Sequence, residues 1–146
     1  RRQRQMCIRD SSGMERVCIA NAEPATGLRD TVPVGHRMTL TAGSAAKLLV
    51  AYAPEAFQNQ VLPDAAYTRE DLEKIAAEGI AESSAERDPS LASASVPVYG
   101  ADAQNRTVIA CLSISGPVAR MGEHPAEKFG ADLKESARQL ENLLRK

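Results

Sequence analysis

Residues 107–115, Thr-Val-Ile-Ala-Cys-Leu-Ser-Ile-Ser, carry two different chemistries on alternate positions, and this constrains the chain more than any other stretch. In an extended backbone successive side chains point to opposite faces. Val108, Ala110, Leu112 and Ile114 then form one apolar face. Ile109, Cys111, Ser113 and Ser115 form the other, which changes from apolar to hydroxyl-bearing along its length. Two hydroxyls on a sheet face are either surface residues or the polar fixtures of a pocket.

The other elements supply the rest of such a sheet. Met6 to Ile8 and Arg16 to Ala20 are β-favouring runs separated by Asp10-Ser11-Ser12-Gly13, and they read as a hairpin. A tight turn would put Met6, Ile8, Val17 and Ile19 on one face and set Cys7 opposite Cys18. Ala22 to Thr31, with Pro24 and Gly27, reads as a loop. A third strand is expected over Arg37 to Thr41, approached through Pro33 and therefore at an edge. Ala45 to Ala53 reads as a helix with Ser44 as N-cap and Leu48, Leu49 and Tyr52 on one face; a second begins at Pro54 and includes Phe57. Thr68 to Asp71 has the form of a capping box opening a helix that Gly79 ends. Ser83 to Ser93 is polar and irregular, Ala94 to Tyr99 is a strand, and Gly100 to Arg106 is a loop. Pro125 to Lys146 spaces Phe129, Leu133, Ala137, Leu140 and Leu144 as one face of a long helix. The order β-β-β-α-α-α-β-β-α predicts an α+β fold, one antiparallel sheet with helices against it.

Composition excludes several function classes. The 146 residues fit one domain, and 18 Lys and Arg against 19 Asp and Glu offer no general electrostatic grip on nucleic acid or membrane. Arg1, Arg2 and Arg4 read as a solvated chain end. No apolar run approaches the roughly 20 residues needed to cross a bilayer, and no apolar stretch follows the basic start as in a signal peptide, so a soluble, cytoplasmic chain is expected. The chain lacks an initiating Met and opens directly into a strand, which reads as a fragment with something missing upstream. Cys7, Cys18 and Cys111 are odd in number and without C-x-x-C spacing, arguing for reduced thiols and against a disulfide framework or zinc site.

Catalysis needs a nucleophile beside a base, and the only histidines, His36 and His124, both read as loop residues. Phosphate-loop, dinucleotide and nucleophile-elbow motifs are absent. No catalytic residue, metal or cofactor is assigned. Ser44, Ala45 and Ala46 at a helix start are suited instead to an anion, because the first amides lack intrahelical partners and the dipole favours negative charge.

Four segments in register carry a resemblance: Ala42-Gly43-Ser44-Ala45-Ala46-Lys47-Leu48-Leu49-Val50-Ala51-Tyr52, Gly79 to Pro89 with Ala85-Glu86-Arg87, Val96-Pro97-Val98, and Ala110 to Pro117 followed by Arg120. Together they resemble the effector-binding domain of IclR-type transcriptional regulators over nearly the whole chain. The resemblance implies a GAF-like curved antiparallel sheet flanked by helices, with residues 1–146 as the effector-binding domain and a winged helix-turn-helix domain upstream. It implies a small organic acid or aromatic metabolite as ligand, DNA contact only through the missing domain, and a homodimer or homotetramer. Family pocket positions fall on Ser44, Ala45, Ser83, Ser93, Ser113 and Ser115, with Glu86 carried over from the Gly-Glu-Arg segment; Met38 completes the candidate set. Two positions depart from the pattern: the usual Gly is Ala85, and an aromatic often found after Gly79 is Ile80. A GAF-like sensor attached to a signalling enzyme is the alternative, and a Cys111-dependent enzyme a more distant one.

Overall fold

The computed structural model describes residues 3–9, 14–22, 33–86, 88–101 and 107–145. Its centre is a curled, six-stranded antiparallel sheet in the order β3-β2-β1-β6-β5-β4, formed by β1 (Gln3–Arg9), β2 (Glu15–Ala22), β3 (Arg37–Thr39), β4 (Ala81–Ser84), β5 (Leu91–Tyr99) and β6 (Val108–Pro117). Helices α1 (Ser44–Ala51), α2 (Glu55–Val61) and α3 (Arg69–Glu78) follow β3, with a short 3-10 turn at Leu62–Asp64 between the last two. A single-turn α4 (Val118–Met121) and the long α5 (Pro125–Leu144) close the chain. This is the expected α+β, GAF-like architecture.

The alternation in β6 feeds two separate cores. Cys111, on the inner face, joins Leu48, Val50, Val61, Leu72 and Ile75 from α1, α2 and α3. Ala110, Leu112 and Ile114, on the outer face, join Val96 and Val98 of β5 and Phe129, Leu133 and Ala137 of α5. Four-residue spacing stacks those three α5 side chains on one stripe. Burying each large apolar side chain contributes about 1.5–3 kcal/mol, so the outer layer stabilises a sheet whose inner face is partly polar. At the far end Glu141, 5% exposed, accepts a hydrogen bond from Tyr99 N at 3.1 Å and fixes α5 against the end of β5.

Sequence signals at the termini of α3 hold. Thr68 and Asp71 make the reciprocal capping box, and Gly79 ends the helix in the left-handed region at φ 72°. The hairpin of β1 and β2 also forms, with Cys7 opposite Cys18. Its turn, residues 23–32 of the next loop, and residues 102–106 lie outside the described residues.

Five expectations are corrected. Ala81–Ser84 is an edge strand rather than irregular chain, and β5 starts at Leu91 rather than Ala94. Ala-Glu-Ser-Ser has no β-branched or aromatic residue; its conformation comes from pairing with β5, Ala81 opposite Ser95 and Ser83 opposite Ser93. Ser44 is not an N-cap: Gly43 occupies that position and no side chain caps the helix. The pairing of β1 with β2 shifts between Met6 and Cys7, so Ala20 faces Met6 and Ile19 is left exposed. Met38 lies in β3, but the strand stops at Thr39 and Leu40 is buried in the bend beyond it. Val118–Met121, not anticipated, forms one helical turn that ends at Gly122, φ 80°.

Edge strand β4 is held from both ends. Glu82 reaches α5, accepting from Ala126 N at 3.0 Å and pairing with His124 Nδ1 at 3.1 Å. Beyond the strand, Ala85 adopts φ 61°, a left-handed conformation that favours glycine, the residue the resemblance led one to expect there. Left-handed backbone costs an L-residue about 1–2 kcal/mol, partly offset in glycine by entropy. Ala85→Gly should therefore raise stability by up to about 1 kcal/mol in urea melts, and a loss of stability would contradict the left-handed assignment. The Glu82 hydrogen bond and its charge raise the His124 imidazole above its ordinary 6.5. Stabilisation by this pair is complete at pH below the ordinary 6.5 and is lost as pH rises through the raised folded-state value. An NMR titration should place the His124 midpoint above 6.5 and show Glu82→Gln lowering it; a wild-type midpoint at or below 6.5 would contradict the pair.

Candidate functional site

Small side chains on the inner face of β4, β5 and β6 leave room for the start of α1. The register sets Ser83 opposite Ser93, Ser93 opposite Ser115, and Ser95 opposite Ser113. Ser44, the first residue of α1, lies over this patch and is 1% exposed. Its hydroxyl bonds those of Ser93 at 2.6 Å and Ser95 at 2.7 Å. Ser83 bonds Ser93 at 2.9 Å, and Ser95 bonds Ser113 at 2.5 Å. The five hydroxyls thus form one continuous chain between helix and sheet. Buried polar groups are costly unless hydrogen-bonded, which makes this patch a cooperative fixture.

Beside the chain lies a partly open cavity of about 40 Å3, space for roughly three water molecules. Met38, Gly43, Ser44 and Ala45 bound it on the helix side, and Ser83, Ser93, Ser113 and Ser115 on the sheet side. Gln5 and Arg16 enter from the hairpin, while Asp88, Leu91 and Ala92 close the loop end. Gly43 has φ 98° and ψ 158°, a conformation that favours glycine, and it turns the chain into α1. A Cβ there would lie 3.5 Å from Arg16 Nη2, so the guanidinium stands against the helix start.

Arg16 is the site's main electrostatic feature. Only 4% exposed, it donates through Nη1 to the carbonyls of Thr39 at 3.0 Å and Ala42 at 3.1 Å, and Nη2 is 3.6 Å from Met38 Sδ. Those contacts fix its position between β2, β3 and the turn into α1. The lining also holds one carboxylate, Asp88, which accepts from Ser90 N and Oγ; against it stand a guanidinium, the positive end of a helix dipole and several hydroxyls, which favour an anion, and Arg suits a carboxylate's geometry.

Seven of the eight residues assigned from sequence meet here: Met38, Ser44, Ala45, Ser83, Ser93, Ser113 and Ser115. Glu86 does not line this cavity. Its carboxylate pairs with Lys47 Nζ at 2.6 Å and accepts from Gly43 N at 3.4 Å, behind the first turn of α1. Lys47 also donates to the Glu82 carbonyl. Sequence reasoning missed Arg16, Gln5 and Ser95. The available signal was parity, since Arg16 lies on the same side of β2 as Cys18, two residues on, and both are buried.

On the other side of Ser83 an open cleft of about 400 Å3 runs between Lys47, Tyr67, Lys74, Glu82, Glu86 and His124. Its charged groups largely satisfy one another, as the Lys47–Glu86 and His124–Glu82 pairs show. Tyr67 donates to the Leu40 carbonyl at 2.5 Å, and burial pushes its phenol well up.

The three cysteines form a row across β2, β1 and β6, Cys18 opposite Cys7 and Cys7 opposite Cys111, all fully buried and none in a disulfide. The hydrogen bond to Cys111 and burial push the Cys7 thiol far up. Both histidines are exposed, His124 in its contact with Glu82, so the geometry gives Cys111 no histidine base. Among the described residues no group of three or more His, Cys, Asp or Glu is placed to hold a metal ion. Nor is any described helix long and apolar enough to cross a membrane.

Comparisons with known proteins agree on one family. The model for the C-terminal domain of bacterial transcriptional regulator IclR matches residues 4–142. The HTH-type transcriptional regulator BhcR of Paracoccus denitrificans is 29% identical over 135 residues, covering 84% of this chain and 47% of BhcR. This chain therefore spans about half the length of that relative. Among solved structures, an IclR-family regulator from Rhodococcus superposes with a TM-score of 0.82 at 26% identity, over 97% of this chain and 56% of that one. The inducer-binding domain of PobR from Acinetobacter, a double mutant complexed with 3-hydroxybenzoic acid, gives 0.78 at 20% identity over 97% of this chain and 88% of its own.

Proposed function

The chain belongs to the IclR family of bacterial transcriptional regulators, matching its C-terminal domain, and on that premise we propose that it senses a small organic acid in the cavity between α1 and the sheet. The observation that carries this reading is convergence: Arg16 from β2, the start of α1 and serines from β4, β5 and β6 all face one cavity. A buried guanidinium held by backbone carbonyls beside a wall of hydroxyls presents directed donors to a carboxylate. PobR, a relative of the same fold, was crystallised with an aromatic acid. The volume of about 40 Å3 here favours an acid of only a few carbons.

The carboxylate would lie against Arg16 and the first amides of α1, with the serine hydroxyls around the rest of the ligand. An upstream winged helix-turn-helix domain would contact DNA, and the domain would act as a dimer or tetramer. Ligand would then shift a population: binding one arrangement more tightly alters the spacing of the paired DNA-binding heads. In this reading the domain performs no catalysis and needs no cofactor or metal.

Thermal shift with a panel of two- to four-carbon carboxylic acids tests the reading. A binder at about 100 times its dissociation constant adds about 2.7 kcal/mol of stability. Ser115→Leu should then weaken binding by at least about tenfold, roughly 1.4 kcal/mol, because Ser115 lines the cavity but stands outside the hydroxyl chain. Ile114→Ala, on the outer face, should instead lower stability by about 2–5 kcal/mol without selective loss of binding. Wild-type affinity in Ser115→Leu, measured by calorimetry, would overturn this cavity as the site.

A further inference from the structure

We propose that the cavity selects carboxylates carrying their own hydroxyl donors over acids that offer only acceptors, an inference that rests on the sensing reading above and narrows its ligand class. The argument is a proton count. Ser83, Ser93, Ser44, Ser95 and Ser113 are joined in that order by four hydrogen bonds, without branches. Each hydroxyl carries one proton. Whichever way each link points, four protons are held between neighbours and one O–H remains to donate outside the chain. That spare donor can sit at any of the five positions, because the links on both sides can point toward it.

Acceptors are in surplus. The five oxygens carry two lone pairs each, of which the links use four, leaving six. A ligand group that only accepts can use at most the one spare O–H and otherwise sets lone pairs against lone pairs along this wall, whereas a ligand hydroxyl can donate into any of the six. The carboxylate has other donors: Arg16, the amides at the start of α1, and Ser115 outside the chain. The cavity thus has a cationic end for a carboxylate and an acceptor-rich wall for hydroxyls.

Ser95 controls the count without reaching the ligand. It is fully buried and does not line the cavity. Removing its hydroxyl divides the chain into Ser83–Ser93–Ser44 and Ser113, which keeps only its 3.9 Å contact with the Cys111 thiol, a weak partner; each part then has a spare O–H, so the wall gains a second donor. Ser95 is accordingly a positioning residue whose loss alters selectivity.

Calorimetry on this chain with four three-carbon probes tests the inference: lactate (both enantiomers) and glycerate, which carry hydroxyls, and pyruvate and propionate, which do not. Lactate or glycerate should bind at least about tenfold more tightly than pyruvate or propionate. Ser95→Ala should narrow the lactate-to-pyruvate ratio by at least about threefold, whereas a merely structural role would weaken both probes alike. Ser93→Ala cuts the same chain on the other side of Ser44 and should narrow the ratio too, which keeps the test open if Ser95→Ala fails to fold. Pyruvate or propionate binding as tightly as lactate, or an unchanged ratio in a folded variant, overturns the donor count and leaves the sensing reading standing. If none of the four probes binds, the small-acid reading itself falls and the inference with it.

Discussion

The first residue of helix α1 is tied to the sheet through its hydroxyl, that of Ser44, held between Ser93 and Ser95 at 2.6 and 2.7 Å. A serine at this point in a helix commonly caps the first turn. Here the glycine before it, at φ 98°, turns the backbone so that the serine faces the sheet. The contact needs serines on β5, since larger side chains would lift the helix away. It also needs the network complete, because each buried hydroxyl left without a partner costs about 1–3 kcal/mol. The height of α1 above the sheet, and with it the cavity, follows from that bond.

The same geometry separates the charges. Lys47, one turn into α1, is directed away from the cavity to Glu86 and the Glu82 carbonyl. Arg16 comes from the opposite side and is fixed by the carbonyls of Thr39 and Ala42. Lys47 is thus paired behind the helix, while Arg16 lines the cavity. Stability for this polar inner face is supplied elsewhere, by the apolar outer face of β5 and β6 against Phe129, Leu133 and Ala137. One strand, β6, serves both layers because adjacent residues belong to different faces.

Much of this was legible in sequence because it depends on periodicity. The alternation of β6, the capping box at Thr68 and Gly79 are local patterns, and each holds; the stripe on α5 holds from Phe129 to Leu140 and fails at Leu144, which is exposed while Glu141 is buried. The serines at 44, 83, 93, 113 and 115 were marked by family resemblance together with the helix start and strand parity. Arg16 was not, since an arginine in a β-run is assigned to solvent unless something fixes which face is covered, and here both are. The bulge between Met6 and Cys7 obscured that parity further. Strand β4 left no signal, because Ala-Glu-Ser-Ser is extended only through its partner. Glu86 was assigned to the ligand from its motif, but the fold pairs it with Lys47, a lysine three positions beyond Ser44 whose direction depends on the helix already being docked.

Amide chemical-shift mapping during a titration with a small hydroxy acid such as lactate tests the central claim most directly. Ligand in the Arg16–serine cavity should move the amides of Arg16, Gly43, Ser44, Ala45, Ser93, Ser113 and Ser115. Those of Lys74, Glu78 and Glu123, on the far side of the open cleft, should stay in place. Shifts that instead cluster around Tyr67, Lys74, Glu78 and His124 while the serines of β5 and β6 stay fixed would contradict the account.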